Sequence, residues 1–137
     1  MSWLIDTNVL SELRKGERAN RGVRAWFAEA NEDELFTSVL VLGEVRRGIE
    51  SVRRRDPTAA MALDQWLARL VTTFSDRVLP IDTAVADRWG PLNVPDPIST
   101  VDGLLAATAL VHDLVLVTRN TRDVARTGVR LLDPTAA

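Results

Sequence analysis

Two kinds of apolar run alternate along this chain. The short ones, Trp3–Ile5 and Leu114–Val117, contain no polar position at all, which is the pattern of strands buried on both faces. Each stops abruptly in polar residues, Asp6-Thr7-Asn8 after the first and Thr118-Arg119-Asn120 after the second. The longer runs repeat at helical spacing. Val9–Leu13 forms a short helix before Gly16, and Asn20–Ala30 carries Val23, Trp26, Phe27 and Ala30 on one side. Val39–Val52 lines up Val41, Leu42, Val45, Ile49 and Val52 as one stripe. Asp56-Pro57 interrupts it, and Pro57–Phe74 continues as an amphipathic helix through Met61, Leu63, Trp66, Leu67, Leu70 and Val71. Asp82 suits the cap of a helix running to Trp89, and Pro91–Ser99, with prolines at 91, 95 and 97, reads as loop. Val101–Val111 is apolar nearly all round, so that helix is central and buried. Leu35–Thr37, Val78–Ile81 and Val129–Leu132 complete the set as further short strands.

Strands alternating with helices predict an α/β fold with a central, mostly parallel sheet flanked by helices. No repeat, low-complexity segment or linker divides the 137 residues, so the expectation is a single domain over 1–137. In such sheets ligands bind beyond the carboxyl ends of the strands. Here that means Asp6-Thr7-Asn8 and Thr118-Arg119-Asn120.

Composition then narrows the chemistry. The chain has no cysteine, which excludes a disulfide framework, a thiolate nucleophile and a thiolate metal site. Its longest apolar stretch, Leu104–Val111, is far shorter than the roughly 20 residues of a membrane span, and the opening residues lack a signal-peptide core. A cytoplasmic protein with no membrane partner is expected. The net charge of −2 attracts no nucleic acid globally, so any such binding uses local patches. Every basic side chain but Lys15 is arginine, which fits a GC-rich genome as well as phosphate binding.

Four carboxylates fall where the sheet can gather them. Asp6 ends the first strand, Glu44 lies beside the apolar stripe of Val39–Val52, Asp102 opens the buried helix, and Asp123 follows the last all-apolar strand. Each also has a local explanation. Asp6 can cap the next helix, and Glu44 can pair with Arg47 at i+3. Asp102 stands three residues after Ser99 and Asp123 three after Asn120, the spacing of a capping box. Against this, Asp6 and Asp102 border wholly apolar segments, where an unpaired charge is costly. Crowded carboxylates repel one another unless a cation neutralises them. An all-oxygen set without Cys or a useful His selects a hard ion, Mg²⁺ or Mn²⁺, and such ions serve phosphodiester hydrolysis.

The segments Ile5–Glu12 (IDTNVLSE), Gly43–Gly48 (GEVRRG), Asp102–Ala109 (DGLLAATA) and Thr118–Asp123 (TRNTRD) resemble, in order, the successive signatures of PIN-domain VapC-type ribonuclease toxins, most of all the FitB-like subgroup. The likeness runs from Leu4 to Leu132. It implies that Asp6, Glu44, Asp102 and Asp123 bind the metal and that Asn8, Thr118 and Asn120 surround it. It also implies a homodimer, a cognate VapB-like antitoxin whose tail blocks the site, and cleavage to 3′-hydroxyl and 5′-phosphate ends. DNA is reached only indirectly, through the antitoxin. Val124 departs from the family, which usually has an aromatic residue there.

Arg47, on the same flank as Glu44, and Arg119 are candidate contacts for RNA phosphates. His112, the only histidine, suits a surface or structural role, and one histidine excludes a two-histidine acid–base route. Trp3, Trp26, Trp66 and Trp89 sit in apolar patterns as core or interface anchors. Two further readings stay open at this level. One is a regulatory dimeric subunit of a DNA-binding toxin–antitoxin complex. The other is a Mg²⁺-dependent phosphotransfer domain using Asp6 as nucleophile, which lacks a second acid two residues on and a phosphate-anchoring lysine beyond Lys15.

Overall fold

The computed structural model describes residues 1–136. Five strands, β1 (Trp3–Ile5), β2 (Leu35–Ser38), β3 (Val78–Leu79), β4 (Val115–Val117) and β5 (Leu131–Leu132), form one sheet in the order β3-β2-β1-β4-β5. All four pairings are parallel. The expected α/β sheet is therefore present and wholly parallel. Its shortest members, β3 and β5, are the edges, and both are trimmed relative to the runs Val78–Ile81 and Val129–Leu132.

Seven α-helices flank the sheet among the described residues: α1 (Thr7–Leu13), α2 (Arg21–Glu29), α3 (Val39–Arg53), α4 (Pro57–Phe74), α5 (Thr83–Leu92), α6 (Thr100–His112) and α7 (Thr121–Val124). Their starts obey capping chemistry. Asn20, Asp56 and Asp82 each accept from the backbone N–H three residues on, and Ser38 accepts from Leu40. Pro57 occupies the first turn of α4, where its missing N–H costs nothing.

Several further bounds differ from expectation: α1 starts at Thr7 and not at Val9, and the short helix α7 was not foreseen. The loop foreseen from Pro91 begins later, because α5 continues through Pro91 to Leu92. A proline in the last turn removes only one helical bond, and the side chain of Asn93 donates to the Trp89 carbonyl at 2.9 Å, closing the helix end.

The core lies on both faces of β1 and β4. Leu4, Ile5, Leu116 and Val117 are buried between Val9, Leu10 and Val23 from α1 and α2 and Leu105, Ala106 and Ala109 from α6. As predicted, α6 has no polar face over Leu105–Ala109; its one hydroxyl there, Thr108, donates back to the Leu104 carbonyl at 2.7 Å. A smaller apolar cluster of Val45, Ile49, Ala60 and Leu67, edged by Trp66, joins α3 to α4. Arg46 and Arg53 both reach Asp64 Oδ1 at 2.7 Å across that pair and also bond Glu50. The tryptophans serve as anchors: Trp3 and Trp26 meet edge to face at 5.7 Å, and Arg14 stacks over Trp66. No helix is long and apolar enough to cross a membrane.

The strand order places a topological switch at β1. The chain moves from β1 to β2 and β3 on one side, then crosses to β4 and β5 on the other. Ile5 pairs with Val117, so the two polar sequels of the buried strands emerge side by side.

Candidate metal centre at the strand carboxyl ends

Asp6 is the centre of this edge. Its backbone N–H still belongs to the sheet, donating to the Val117 carbonyl at 3.0 Å, so its carboxylate cannot swing away from the strand ends. The side chain is only 6 % exposed. Oδ1 accepts from the Thr7 N–H at 2.7 Å, and Oδ2 accepts from the Thr118 hydroxyl at 2.7 Å and from Asn8 Nδ2 at 3.4 Å. Asp6 thus begins α1, as the capping reading proposed, yet one of its oxygens is held by Thr118, the residue after β4. Burial pushes its carboxyl above the ordinary range; the Thr118 and Thr7 bonds oppose this, and the Glu44 charge adds to it.

Asn8, Thr118 and Asn120 interlock around it. Asn8 Nδ2 also donates to the Thr118 hydroxyl at 3.3 Å, and Asn8 Oδ1 accepts from the Arg119 backbone N–H at 3.2 Å. The Asn120 backbone N–H donates to the Thr118 hydroxyl at 3.0 Å. These bonds tie the turn after β1 to the turn after β4. Thr118 is 1 % exposed, and its hydroxyl is fully engaged. The two sequence-local predictions therefore become one network.

Glu44 arrives from α3. It makes no ion pair with Arg47 among the described residues; its Oε1 accepts from the Thr7 hydroxyl at 2.7 Å. Thr7, which the sequence reading passed over, thereby contacts two of the four acids, one through its backbone and one through its side chain. A hydroxyl directly after a strand-ending Asp was the available signal.

Asp102 sits in the first turn of α6, half-buried, and the capping box expected with Ser99 is only half formed: the Ser99 side chain caps no backbone N–H, but it hydrogen-bonds the Asp102 carboxyl and opposes the rise of its pKa. The carboxyl of Asp102 is raised first by burial and then by the charges of Asp6, Asp123 and Glu44. The charges of the other three acids thus all reach Asp102 through space. Asp123, exposed on α7, also lacks the foreseen cap, since Asn120 offers its backbone carbonyl and not its side chain. The helical position that sets Asp102 depends on Gly103. A methyl there would lie 2.7 Å from Ile98 Cγ2 and 3.0 Å from Trp89 Nε1, so the absent side chain lets Trp89 and Ile98 close against the start of α6.

The donor set fits a hard ion. It contains carboxylate oxygens, a hydroxyl and amide oxygens, and neither sulfur nor imidazole. Among the described residues no three acids crowd tightly enough to enclose a cation by themselves.

Arg47 projects exposed from α3 with no ion pair among the described residues, while its neighbour Arg46 is neutralised by Glu50 and Asp64. The Arg119 side chain acts on Glu12, outside the set of four acids. Glu12 accepts from the Asn20 backbone and from Lys15, which hold its carboxyl below the ordinary range, and the Arg119 charge contributes a smaller push. His112 is exposed at the end of α6, away from the strand ends.

A larger concavity than the one beside Asp102 lies elsewhere. A groove of about 750 Å³ runs between α1, α2 and α4, floored by Leu10, Leu13, Phe27, Trp66, Leu70 and Phe74 and edged by Arg14, Arg24 and Arg77. Its walls are apolar, with no acid cluster to bind a metal.

The sequence profile of the PIN domain matches residues 3–129. The chain belongs to the PIN-domain family. This PIN domain is 28 % identical over 139 residues to a VapC ribonuclease, Y4jK, of Sinorhizobium fredii, with 96 % of each chain covered. It is 28 % identical over 138 residues to the toxin FitB of Neisseria gonorrhoeae, again with 96 % of each covered. The crystal structure of FitAcB from Neisseria gonorrhoeae superposes with a TM-score of 0.88 at 28 % identity, covering 96 % of this chain and 97 % of that one. The PIN match takes in all four acids, and the resemblance seen in the motifs extends over the whole fold.

Proposed function

We propose that this PIN domain is a metal-dependent endoribonuclease, the toxin half of a VapBC-type pair, working as one domain over residues 1–137. What supports this is that the charges of Asp6, Glu44 and Asp123 all reach the Asp102 carboxyl near the end of the sheet, in a chain similar along its length to a VapC ribonuclease. Asp6, Glu44, Asp102 and Asp123 would hold Mg²⁺ or Mn²⁺. Such an ion, when bound, lowers the pKa of a water and offsets the charge that builds on the phosphate.

The chain's own residues supply position. Thr118 and Asn8 fix the Asp6 carboxylate, with Asn120 bracing the Thr118 hydroxyl, and Thr7 fixes Glu44. Asp102 and Asp123 close the far side, and the more exposed Asp123 suits acceptance of a proton from the attacking water. Arg47, and more remotely Arg119, meet RNA phosphates on either flank. Substrate and cytoplasmic location follow from the same reading.

The apolar groove between α1, α2 and α4 supports the partner half of the proposal. An amphipathic segment of the cognate antitoxin would bury its apolar side on Leu13, Phe27 and Leu70 and set acidic residues against Arg14, Arg24 and Arg77. DNA would be reached through the antitoxin, and a homodimer is the expected assembly.

The test is cleavage of total RNA by purified protein with Mg²⁺, with Mn²⁺ and with EDTA, beside Asp102→Asn. The proposal expects cutting that needs the metal and is lost in the variant. Cutting that survives EDTA or the substitution contradicts it.

A further inference from the structure

Beside Asp102 and Asp123 lies a hollow lined by Pro97, Ile98, Ser99, Asp102, Asp123 and Arg126. Its acids belong to the proposed metal site, but Pro97, Ile98, Ser99 and Arg126 have no role in it. Arg126 stands in the turn that follows α7, and its guanidinium is held in place by two main-chain carbonyls of the proline-rich segment. Nη2 donates to Asp96 O at 2.7 Å and Nη1 donates to Leu92 O at 3.3 Å. Both partners are neutral. Asp123 precedes it by three residues, yet Arg126 makes no ion pair among the described residues.

Other arginines are differently placed. Arg46 and Arg53 are cancelled by Glu50 and Asp64, and Arg130 pairs with Asp113. Arg77 is also held by carbonyls, but at the apolar groove. At the acids, Arg126 alone combines a full positive charge with a fixed position among the described residues. A guanidinium has five N–H donors, and two carbonyls leave most of the fork free for an anion. A cation anchored by neutral groups keeps its field, which is the requirement for meeting a phosphate beside a cluster of acids.

Resting on the nuclease reading, we propose that this hollow is the subsite for the nucleotide adjoining the scissile bond, with Arg126 pairing with its phosphate. Pro97 and Ile98 form the apolar wall for its ribose or base, and Ser99 supplies a hydroxyl at the rim. The strand then runs from the carboxylates toward the proline-rich segment, and the identity of the adjoining nucleotide is read there.

Arg126 also straps the segment 93–99 to the turn after α7, so the test must separate that from phosphate binding. The probe is a short fluorescein-labelled single-stranded RNA of mixed sequence. Its anisotropy is followed against salt, with Ca²⁺ replacing Mg²⁺ and the RNA verified intact. Wild type, Arg126→Gln and Arg126→Lys are compared, with thermal midpoints measured in parallel. Loss of one phosphate contact lowers the slope of log Kd against log salt by about 0.7. The proposal expects that drop for Arg126→Gln and a wild-type slope for Arg126→Lys, which keeps the charge but loses the fork. Three parallel lines, with lowered midpoints in both variants, would reduce Arg126 to a strap and overturn the proposal alone. If wild type neither binds nor cleaves RNA, the nuclease reading fails and the subsite falls with it.

Discussion

The Thr7 hydroxyl carries more than its size implies. It is the sole side-chain donor to Glu44 among the described residues, and the adjoining backbone N–H serves Asp6. Thr7→Val keeps the volume and removes the donor. It should cut metal-dependent RNA cleavage by about 10- to 100-fold, as loss of a ligand's supporting bond usually does, with Thr7→Ser close to wild type. Initial rates at saturating metal, with thermal midpoints as the control for folding, measure this. Asp102 makes a second prediction, in which the sign matters. Its carboxyl is raised in the folded protein by burial and by the charges of Asp6, Asp123 and Glu44. The folded state therefore binds more protons than the unfolded one in the window between the ordinary aspartate value of 3.8 and the raised value. Stability contributed by this group falls as pH rises through that window. Metal-free Asp102→Asn should accordingly melt above wild type at pH 7, and the difference should vanish in acid below the window. Thermal scans with EDTA across pH test it; equal midpoints at neutral pH would show that the acids do not strain one another.

At the scale of elements, Gly103 sets the seat of α6. Alanine gains about 1 kcal/mol of helix propensity over glycine, but its methyl meets Ile98 and Trp89 at distances that demand movement. Overpacking of that kind costs about 1–3 kcal/mol, so Gly103→Ala should lower the urea midpoint, and Ile98→Ala in the same chain should recover part of the loss. The identities of every helix but the four-residue α7, and of the strands, were legible in the sequence because the runs have clean periods. Trp3–Ile5 and Leu114–Val117 lack polar positions for the good reason that neighbouring strands and helices cover both faces. What was not legible is how the ends are completed. Pro91 reads as a stop, yet Asn93 closes the turn around it. Ser99 and Asp102 have capping-box spacing, but the serine side chain caps no backbone N–H and bonds the Asp102 carboxyl instead, and the acid also answers to three other carboxylates. Local spacing cannot report partners that lie a hundred residues away.

For the whole molecule, the rule that ligands bind beyond strand carboxyl ends located Asp6 and Thr118 before their contact was known, and the strand order explains why they meet. Glu44 and Asp123 needed the motif resemblance, since a charge on a helix flank has many uses. Neither the apolar groove nor the Arg126 hollow announced itself, because each is made by surfaces from separate elements. Metal should act on stability as well as on chemistry: an ion at 100 times its Kd adds about 2.7 kcal/mol to the folded state. Mn²⁺ should thus raise the thermal midpoint at pH 7 and leave it unchanged in acid, where the carboxylates are protonated. The central claim, that these four acids form one metal centre, is tested most directly by anomalous diffraction from crystals soaked in Mn²⁺. The account predicts a peak enclosed by Asp6, Glu44, Asp102 and Asp123. A peak elsewhere, or none there at saturating Mn²⁺ in protein that cleaves RNA, would contradict it.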